Sequence, residues 1–506
     1  MNVVSRRHRN GIVVAGLVSL AVMAAMPAAA AHAAAVEGTS SAAGAVQNDG
    51  ATPLLWAVYR GDEAEVARLL KTGADWRKGN AFGATPFGEA ARIGHAPILA
   101  LLLKAGADPR ATTGEGQTAL HLVARTGNVD AAKLLVKAGA DVNAREGWGG
   151  QTPLMWAASQ NQPAMIAFLI SKGADANAHA TVRGWQRRVT AEGRPKDMNH
   201  GGFTSLLFAA REGYVEAARA LLKNGADIDR PDPDGTTPLV MALTNGQWDM
   251  AKVLIESGAN VNDWDFWGQS PLYMAVDMNI LPAGFRVELP RMDEATGLDI
   301  IKLLLAKGAN PNVQLKLRPP YRNAVQDRGA DGALIAGATP LMRAAAGGDI
   351  AALKLLLAAG AKVDLPNEEG ATPLMAAVSA AGTRGRNKTE EQALEAVKLL
   401  RAAGADVNSH DVRGMTAAHS AAFRGWNTVL KELAAEGANL DARESDKLTP
   451  LDYALGRSRV GFLQTKPPVR TETAALLRQL GAKDENPNLP PWPGVGTPGL
   501  RAIVPR

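Results

Sequence analysis

The stretch Ala51-Thr-Pro-Leu-Leu-Trp-Ala-Val-Tyr-Arg-Gly61 returns as Ala84-Thr-Pro-Phe-Gly-Glu-Ala-Ala-Arg-Ile-Gly94 and as Gln117-Thr-Ala-Leu-His-Leu-Val-Ala-Arg-Thr-Gly127. The Thr or Ser that opens each copy lies at positions 52, 85, 118, 152, 204, 237, 270, 339, 372, 416 and 449. Seven of the ten steps are 33 or 34 residues long, and the others are 52, 69 and 44. Each copy closes on Leu-Leu-x-x-Gly-Ala or a near variant. Self-similarity at a fixed period predicts a solenoid of about eleven units.

The chemistry of one unit predicts a pair of helices. Thr52 is an N-cap hydroxyl, and Pro53 suits the first helical position, where its missing N–H costs nothing. Gly61 ends the first helix, and Gly73 ends the second one in the left-handed conformation that glycine tolerates. The polar stretch 75–83 then connects to the next unit. Since one helix pair cannot bury its apolar face alone, the sequence predicts an all-α fold stabilised by stacking.

The first 35 residues have the features of a secretory signal peptide. Arg6, Arg7 and Arg9 precede the apolar run Gly11–Met26, and Ala31-His-Ala33 offers a cleavage site. An uncleaved anchor is the alternative, but the run is shorter than the roughly 20 residues that span a bilayer. The sequence therefore predicts a periplasmic or secreted protein that, after cleavage, is not stably inserted in a membrane, with a flexible linker at 36–50.

Charge and composition exclude several classes of function. Without the three leader arginines, 52 Lys and Arg stand against 50 Asp and Glu, a net charge of +2 that gives no support to nucleic-acid binding. The absence of Cys excludes disulfides, thiolate metal sites and a cysteine nucleophile.

The repeats resemble the ankyrin-repeat family over residues 51–483. The resemblance rests on the 33-residue period, the Thr-Pro-Leu-x-x-Ala core, His121 and His419 after Thr-Ala-x, and Gly-Ala-Asp-Val-Asn at 139–143 and 404–408. With its leader and inserts, the chain is similar to exported bacterial ankyrin-repeat proteins. The family implies β-hairpin fingers between helix pairs, a concave face built by fingers and inner helices, and protein binding as the usual task.

The long steps of the period contain inserts, and in repeat proteins these map to loops that often lie on the binding face. Finger inserts are predicted at about 179–202 and 313–337, with net charges of +3 and +2. Inter-helix inserts are predicted at about 279–297, 380–392 and 457–473, and a Pro/Gly-rich tail at 484–506. We call the two finger inserts the first and second basic arm.

The basic arms and the aromatic finger between them form our hypothesis for the binding site. Arg and aromatic side chains are enriched at interface hot spots, and basic arms would steer a partner protein that carries an acidic patch. The predicted site residues are Trp185, Arg187, Arg188, Trp264, Phe266, Trp267, Arg318, Tyr321 and Arg322. The alternative is that the arms fold back over apolar surface of adjacent units. For the whole protein, an unknown partner bound by a monomeric scaffold is our first interpretation, and a cell-envelope spacer attached to the wall is the second.

No motif in the sequence indicates catalysis, a cofactor or a metal. His121 and His419 occupy the repeat's own position, which favours a structural hydrogen bond. His179 and His200 flank an insert without a carboxylate or thiol set beside them. The acidic stretch 227–235 resembles a calcium loop, but Arg230 stands where the EF-hand pattern needs an acid, so a finger turn is predicted there. We therefore expect a protein that is not an enzyme and binds no cofactor.

Overall fold

A computed structural model describes residues 50–184, 200–279, 293–317, 335–379, 388–458 and 467–492, and the backbone of 188–189 and 195–196. These residues contain helices in pairs and one two-stranded ladder. The helices are α1 (Pro53–Tyr59), α2 (Glu63–Lys71), α3 (Pro86–Ile93), α4 (Ala96–Lys104), α5 (Ala119–Thr126), α6 (Val129–Lys137), α7 (Pro153–Ala158), α8 (Pro163–Ser171), α9 (Ser205–Glu212), α10 (Val215–Lys223), α11 (Pro238–Thr244), α12 (Trp248–Glu256), α13 (Pro271–Asn279), α14 (Gly297–Ala306), α15 (Pro340–Gly347), α16 (Ile350–Ala358), α17 (Pro373–Val378), α18 (Glu390–Ala402), α19 (Ala417–Arg424), α20 (Asn427–Ala435), α21 (Pro450–Ala454) and α22 (Thr471–Gln479). The strands are β1 (Arg188–Val189) and β2 (Pro195–Lys196), which pair antiparallel.

The helices stack in two rows. Each odd-numbered helix packs on the even-numbered helix that follows it and on the next odd-numbered helix, and the even-numbered helices pack on one another in the same order. We call the odd-numbered helices the first-helix row and the even-numbered helices the second-helix row, and we number the pairs as units one to eleven. Stacking continues across both basic arms, because α7 packs on α9 and α13 packs on α15. The buried Leu and Ala side chains form one continuous core.

The repeated Thr and Gly residues set the helix ends. The Thr52 hydroxyl accepts a hydrogen bond from the Leu55 N–H at 3.1 Å, and the same cap recurs in most other units. Gly94 follows α3 at a φ of 70°, where an L side chain would be strained. The local signals predicted from the sequence therefore act as expected.

A ladder of Asn side chains joins the connections between units. Asn143 donates from Nδ2 to the Gly173 carbonyl at 2.9 Å and accepts from the Asp175 N–H at 2.9 Å. The same pair of bonds leads from one unit to the next at each of five Asn residues, which we call the Asn ladder: Asn143, Asn177, Asn262, Asn312 and Asn408. The bonds of Asn177 and Asn312 reach across the first and second basic arm, so neither arm interrupts the ladder.

The two ends of the solenoid differ. At the N-terminal end, Tyr59 is 58% exposed. At the C-terminal end, the segment after α22 lies against the last unit: Arg457 is buried between Asp452 and Asp484, and the Trp492 N–H donates to the Gly456 carbonyl. This segment covers part of the last unit, and residues 493–506 lie outside the described part.

Two of the predicted inter-helix inserts overlap the helices that follow them. Helix α18 begins at Glu390, so the last residues of the predicted insert 380–392 are helical, and Lys388 just before it is buried. Helix α22 begins at Thr471, within the predicted insert 457–473. Among the described residues the longest helix, α18, has 13 residues, and none combines the length and apolarity of a membrane span.

Candidate partner-binding surface

Three of the nine predicted site residues are fully described by the structure. Trp264, Phe266 and Trp267 lie in the connection between α12 and α13. Arg188 is described only as part of the backbone of β1. The other five lie outside the described residues: Trp185, Arg187, Arg318, Tyr321 and Arg322.

The connection 264–268 is a tight turn built around one buried carboxylate. Oδ1 of Asp265 accepts hydrogen bonds from the Trp267 N–H at 3.0 Å and from the Gln269 N–H at 2.8 Å. The Gly268 N–H closes the turn on the Asp265 carbonyl. Burial of Asp265 raises the pKa of its carboxyl group to about 7, against the opposing effect of these hydrogen bonds. The turn is therefore rigid, and it holds Phe266 at its tip with 59% of its surface exposed.

Neighbouring connections hold this turn on both sides. The Phe266 N–H donates to the Asp234 carbonyl at 2.8 Å, and the Trp267 carbonyl accepts from the Lys316 N–H at 2.8 Å. Nζ of Lys316 lies 3.0 Å from the centroid of the Trp264 ring, within the range of a cation–π contact. Trp264 remains 50% exposed. We call Trp264, Phe266, Trp267, Lys316 and Leu317 the aromatic fingertip.

The first basic arm begins as a β-hairpin. The Arg183 N–H donates to the His200 carbonyl at 2.8 Å, and the pairing of β1 with β2 continues the hairpin further out. The Arg183 guanidinium lies 4.9 Å from the Trp148 ring centroid and donates to the Trp148 carbonyl. Trp148, which the sequence analysis did not select, is 76% exposed. The sequence does indicate this exposure, because Gly-Trp-Gly-Gly at 147–150 forms the turn of a connection, where an aromatic side chain has no core to pack against.

The charges between the arms are mainly acidic. Residues 200–279 contain five Lys and Arg against eleven Asp and Glu. Several of these acids have structural roles: Asp232 Oδ1 accepts the Asp234 and Thr236 N–H groups and closes a turn, which confirms the finger turn expected at 227–235. Burial raises the pKa of Asp232 to about 6. An acidic partner would therefore depend on the arms for its attraction and would be repelled by the surface between them.

The histidines that flank the first arm hold its base. His179 donates from Nδ1 to the Gly202 carbonyl at 2.7 Å and accepts from Arg230 Nε at 3.0 Å. Nδ1 of His200 lies 2.6 Å from Asp234 Oδ1. Within the described ranges no group of three His, Asp or Glu side chains is arranged to hold a metal ion.

His121 and His419 link consecutive units. In each, Nδ1 accepts the N–H of the helix-opening Thr, and Nε2 donates to a carbonyl of the following unit, that of Gln151 or Leu448. Burial lowers the pKa of both imidazoles, so the neutral form that makes these bonds is favoured. The structural role expected for the two residues is the one that the hydrogen bonds support.

Comparison with known families agrees with this architecture. The model of ankyrin repeats in three copies matches residues 20–113, 87–180, 206–315, 294–387 and 386–465, which together cover more than half of the chain. The chain belongs to the ankyrin-repeat family. Ankyrin repeats generally mediate protein–protein binding.

Two relatives show how far the similarity extends. The ankyrin repeats are 35% identical over 160 residues to the nuclear factor NF-kappa-B p105 subunit of Gallus gallus, covering 31% of this chain and 14% of that protein. They are 34% identical over 187 residues to the B-cell lymphoma 3 protein homolog of Mus musculus, covering 33% of this chain and 39% of that protein. The chain spans less than two fifths of either relative, so the likeness concerns the repeats.

Proposed function

We propose that this chain is an exported protein-binding scaffold of eleven ankyrin repeats that captures its partner between the two basic arms. The aromatic fingertip supplies the central contact, and the arms steer the partner into place. The cell-envelope spacer attached to the wall is the second candidate, because the signal peptide and the Pro-rich tail would serve it equally well.

The single observation that carries this proposal is the exposure of Trp264 and Phe266 on a rigid turn. Large aromatic side chains on the surface of a soluble protein mark interaction sites when they are contiguous. Here Trp264 and Phe266 lie on one short turn, which the hydrogen bonds of Asp265 hold in place. A rigid aromatic anchor loses little conformational entropy on binding, which is the property of an interface hot spot.

The contact of Lys316 with Trp264 supports a partner with both apolar and acidic groups. The ammonium lies on the ring face and brings positive charge to a surface whose other charges are mainly acidic. The same contact is what the fold-back interpretation of the arms expects, in which cations cover exposed rings. Arg183 covers Trp148 in the same way. The partner-binding and fold-back interpretations therefore differ in whether a partner displaces these cations from the rings.

Photo-crosslinking in the cells that produce the protein distinguishes a scaffold from a spacer. A photoreactive p-benzoylphenylalanine replaces Phe266 in one variant and Phe82 in the matched control, since Phe82 is also a solvent-facing turn residue, 85% exposed, and lies far from the arms. The scaffold predicts one discrete protein adduct at 266 and none at 82, identified by mass spectrometry. Adducts of the same kind at both positions, or recovery of wall fragments only, would contradict it.

Export is tested on the same material. The signal-peptide prediction requires the mature N-terminus to lie within or just after 31–35 and the protein to be recovered outside the cytoplasm. N-terminal peptide mapping decides the matter, and a chain that still begins at Met1 in the cytoplasmic fraction would refute export while leaving the binding proposal open to the crosslinking test.

A further inference from the structure

Two histidines hold the base of the first basic arm, and the hydrogen bonds of one of them require a neutral ring. His179 Nδ1 lies 2.7 Å from the Gly202 carbonyl, which can only accept, so Nδ1 carries the hydrogen. His179 Nε2 accepts from Arg230 Nε at 3.0 Å, and a guanidinium can only donate, so Nε2 carries none. The two partners together fix the uncharged Nδ1–H tautomer.

A second proton on His179 would break the contact with Arg230. The imidazolium has a hydrogen on both nitrogens, so its Nε2–H would point at the Arg230 Nε–H, with two positive charges facing each other. A further cation lies close by, because Arg145 Nη1 donates to the His179 carbonyl at 2.7 Å. Arg183, on the same connection as His179, contacts Trp148. Since imidazole is the side chain that ordinarily changes its charge near neutral pH, mild acid should separate Arg230 from His179.

The carboxylates around His179 are engaged elsewhere. On its own connection and on the two neighbouring ones, each carboxylate accepts a backbone N–H or pairs with His200: Glu146, Asp175, Asp227, Asp229, Asp232 and Asp234. Asp232 lines the same cavity as His179 and Arg230, and its Oδ2 is buried without a hydrogen-bond partner among the described residues. Burial raises the pKa of Asp232 to about 6, so in mild acid this carboxyl group is largely uncharged and does not offset the charge of an imidazolium.

The second histidine responds to acid in the opposite way. Nδ1 of His200 lies 2.6 Å from Asp234 Oδ1, and a protonated ring would donate to this carboxylate and pair with its charge. Acid therefore strengthens one attachment of the arm's base and breaks the other. The backbone of Asp234 also leads to the aromatic fingertip, because its carbonyl accepts the Phe266 N–H at 2.8 Å. The connection that contains Arg230 and Asp234 thus joins the base of the arm to the fingertip.

We propose that His179 is a pH-operated switch at the base of the first basic arm: the neutral ring holds Arg230, and protonation expels the guanidinium. Acidification adds the charge of the imidazolium at the edge of a surface whose charges are mainly acidic, and it frees Arg230 to meet another anion. The site between the arms should therefore attract an acidic partner more strongly at low pH. That consequence rests on the proposed function, whereas the switch is a property of this chain alone.

Nuclear magnetic resonance of the full mature chain, deuterated and labelled with heavy nitrogen in Arg and His, tests the switch without any partner. Spectra are recorded at about pH 7.5 and about pH 5.5, on either side of the range in which imidazoles ordinarily titrate. Arg230→Gln assigns the Arg230 Nε–H signal by its loss. His179→Gln keeps an oxygen that can accept from Arg230 but takes up no proton. The matched controls are His200→Gln, on the other side of the arm's base, and His410→Gln, an exposed histidine in the connection between units nine and ten.

At the higher pH, the nitrogen shifts should show His179 with hydrogen on Nδ1 and none on Nε2, and a scalar coupling should connect Nε2 to Arg230 Nε across the hydrogen bond. At the lower pH that coupling should be lost, and the Arg230 Nε–H signal should move to the position of exposed arginines such as Arg60. In His179→Gln the Arg230 signal should not move between the two pH values, whereas both control variants should behave like the wild type.

Four results would overturn the proposal. They are an Nε2–H tautomer of His179 at the higher pH, a coupling that survives at the lower pH, a movement of the Arg230 signal that persists in His179→Gln, and its disappearance in His200→Gln. None of these measurements involves partner capture, so a failure of the switch is distinguishable from a failure of the proposed scaffold.

Discussion

Substitution of Asn312 by Ala tests whether the solenoid remains continuous across the second basic arm. The side chain makes two bonds to unit eight: Nδ2 donates to the Gly360 carbonyl at 3.2 Å, and Oδ1 accepts from the Lys362 N–H at 2.7 Å. Each net contribution is about 0.5–1.5 kcal/mol, and partial exposure places both near the lower end. Asn312→Ala should therefore weaken the junction by about 1–2 kcal/mol.

Hydrogen–deuterium exchange followed by mass spectrometry measures this loss of stability at the junction itself. In a repeat array, stability is close to a sum of contributions from the units and from the interfaces between them. Weakening one interface can therefore leave the global unfolding transition unchanged, because the array need not unfold in one two-state step. A loss of 1–2 kcal/mol makes local opening about 5- to 30-fold more frequent. Amides around 360–362 should exchange faster by that factor, while those of units one to three should not change.

Asn143→Ala provides the comparison, because it removes the equivalent pair of bonds at a junction that has no insert. The structure predicts the same local effect at both junctions. If Asn143→Ala accelerates local exchange while Asn312→Ala has no effect, the ladder does not continue across the second arm, and the description of the repeats as one unbroken stack is wrong.

Three further substitutions probe buried charge. Burial lowers the pKa of Lys388 to about 7 from an ordinary value near 10.5. Between these pH values the unfolded chain binds more protons than the folded one. The free energy of unfolding should therefore rise with pH from 7 to 10. Lys388→Met should flatten that slope in urea unfolding. Burial raises the pKa of Asp265, so its carboxyl group lowers stability as pH rises from about 4 to 8. Asp265→Asn, which keeps the accepting oxygen, should remove this contribution and leave that of Asp232. Arg343→Met removes the buried ion pair between Arg343 and Asp277 and should destabilise the fold by about 3–5 kcal/mol, most of it regained when Asp277→Leu is added. Thermal unfolding that is equal for the single and double variants would refute that last prediction.

The helix pairs could be predicted from the sequence because their signals are local. Thr52, Pro53 and Gly94 act through bonds and dihedral angles within a few residues, and each unit repeats them. Because the motif recurs eleven times, it is recognisable even where one copy departs from it, as Gln117-Thr-Ala does by lacking the Pro. The position of the first arm as an extension of a connection between units followed from the same regular spacing.

The cross-unit contacts could not be predicted in this way. The Asn of Gly-Ala-Asp-Val-Asn was visible as a pattern, but its bonds to the next unit depend on how two connections stack. The pair Arg343–Asp277 joins side chains 66 residues apart, and Lys388 is buried against the carbonyl of Ala345 in the preceding unit and that of Ala376 in its own. No spacing in the sequence indicates these contacts, since all of them arise only from the stacking.

The candidate site also combines features that the sequence predicts with features that arise only from stacking. Exposure of Trp264 and Phe266 was expected from their place in a connection. The burial of Asp277 and Arg343 in the first-helix row of units seven and eight depends on tertiary packing. The two arms concentrate basic residues, and the residues between them are mainly acidic.

The affinity of the crosslinked partner for a fingertip variant and for its control tests the central claim most directly. The partner identified through position 266 is titrated by isothermal calorimetry against the wild-type chain, Trp264→Ala with Phe266→Ala, and Phe82→Ala. Hot-spot aromatics contribute about 1–2 kcal/mol or more each, so the fingertip variant should bind about 30-fold to 1000-fold more weakly, while Phe82→Ala binds like the wild type. Equal affinity in all three would contradict the assignment of the aromatic fingertip as the binding surface.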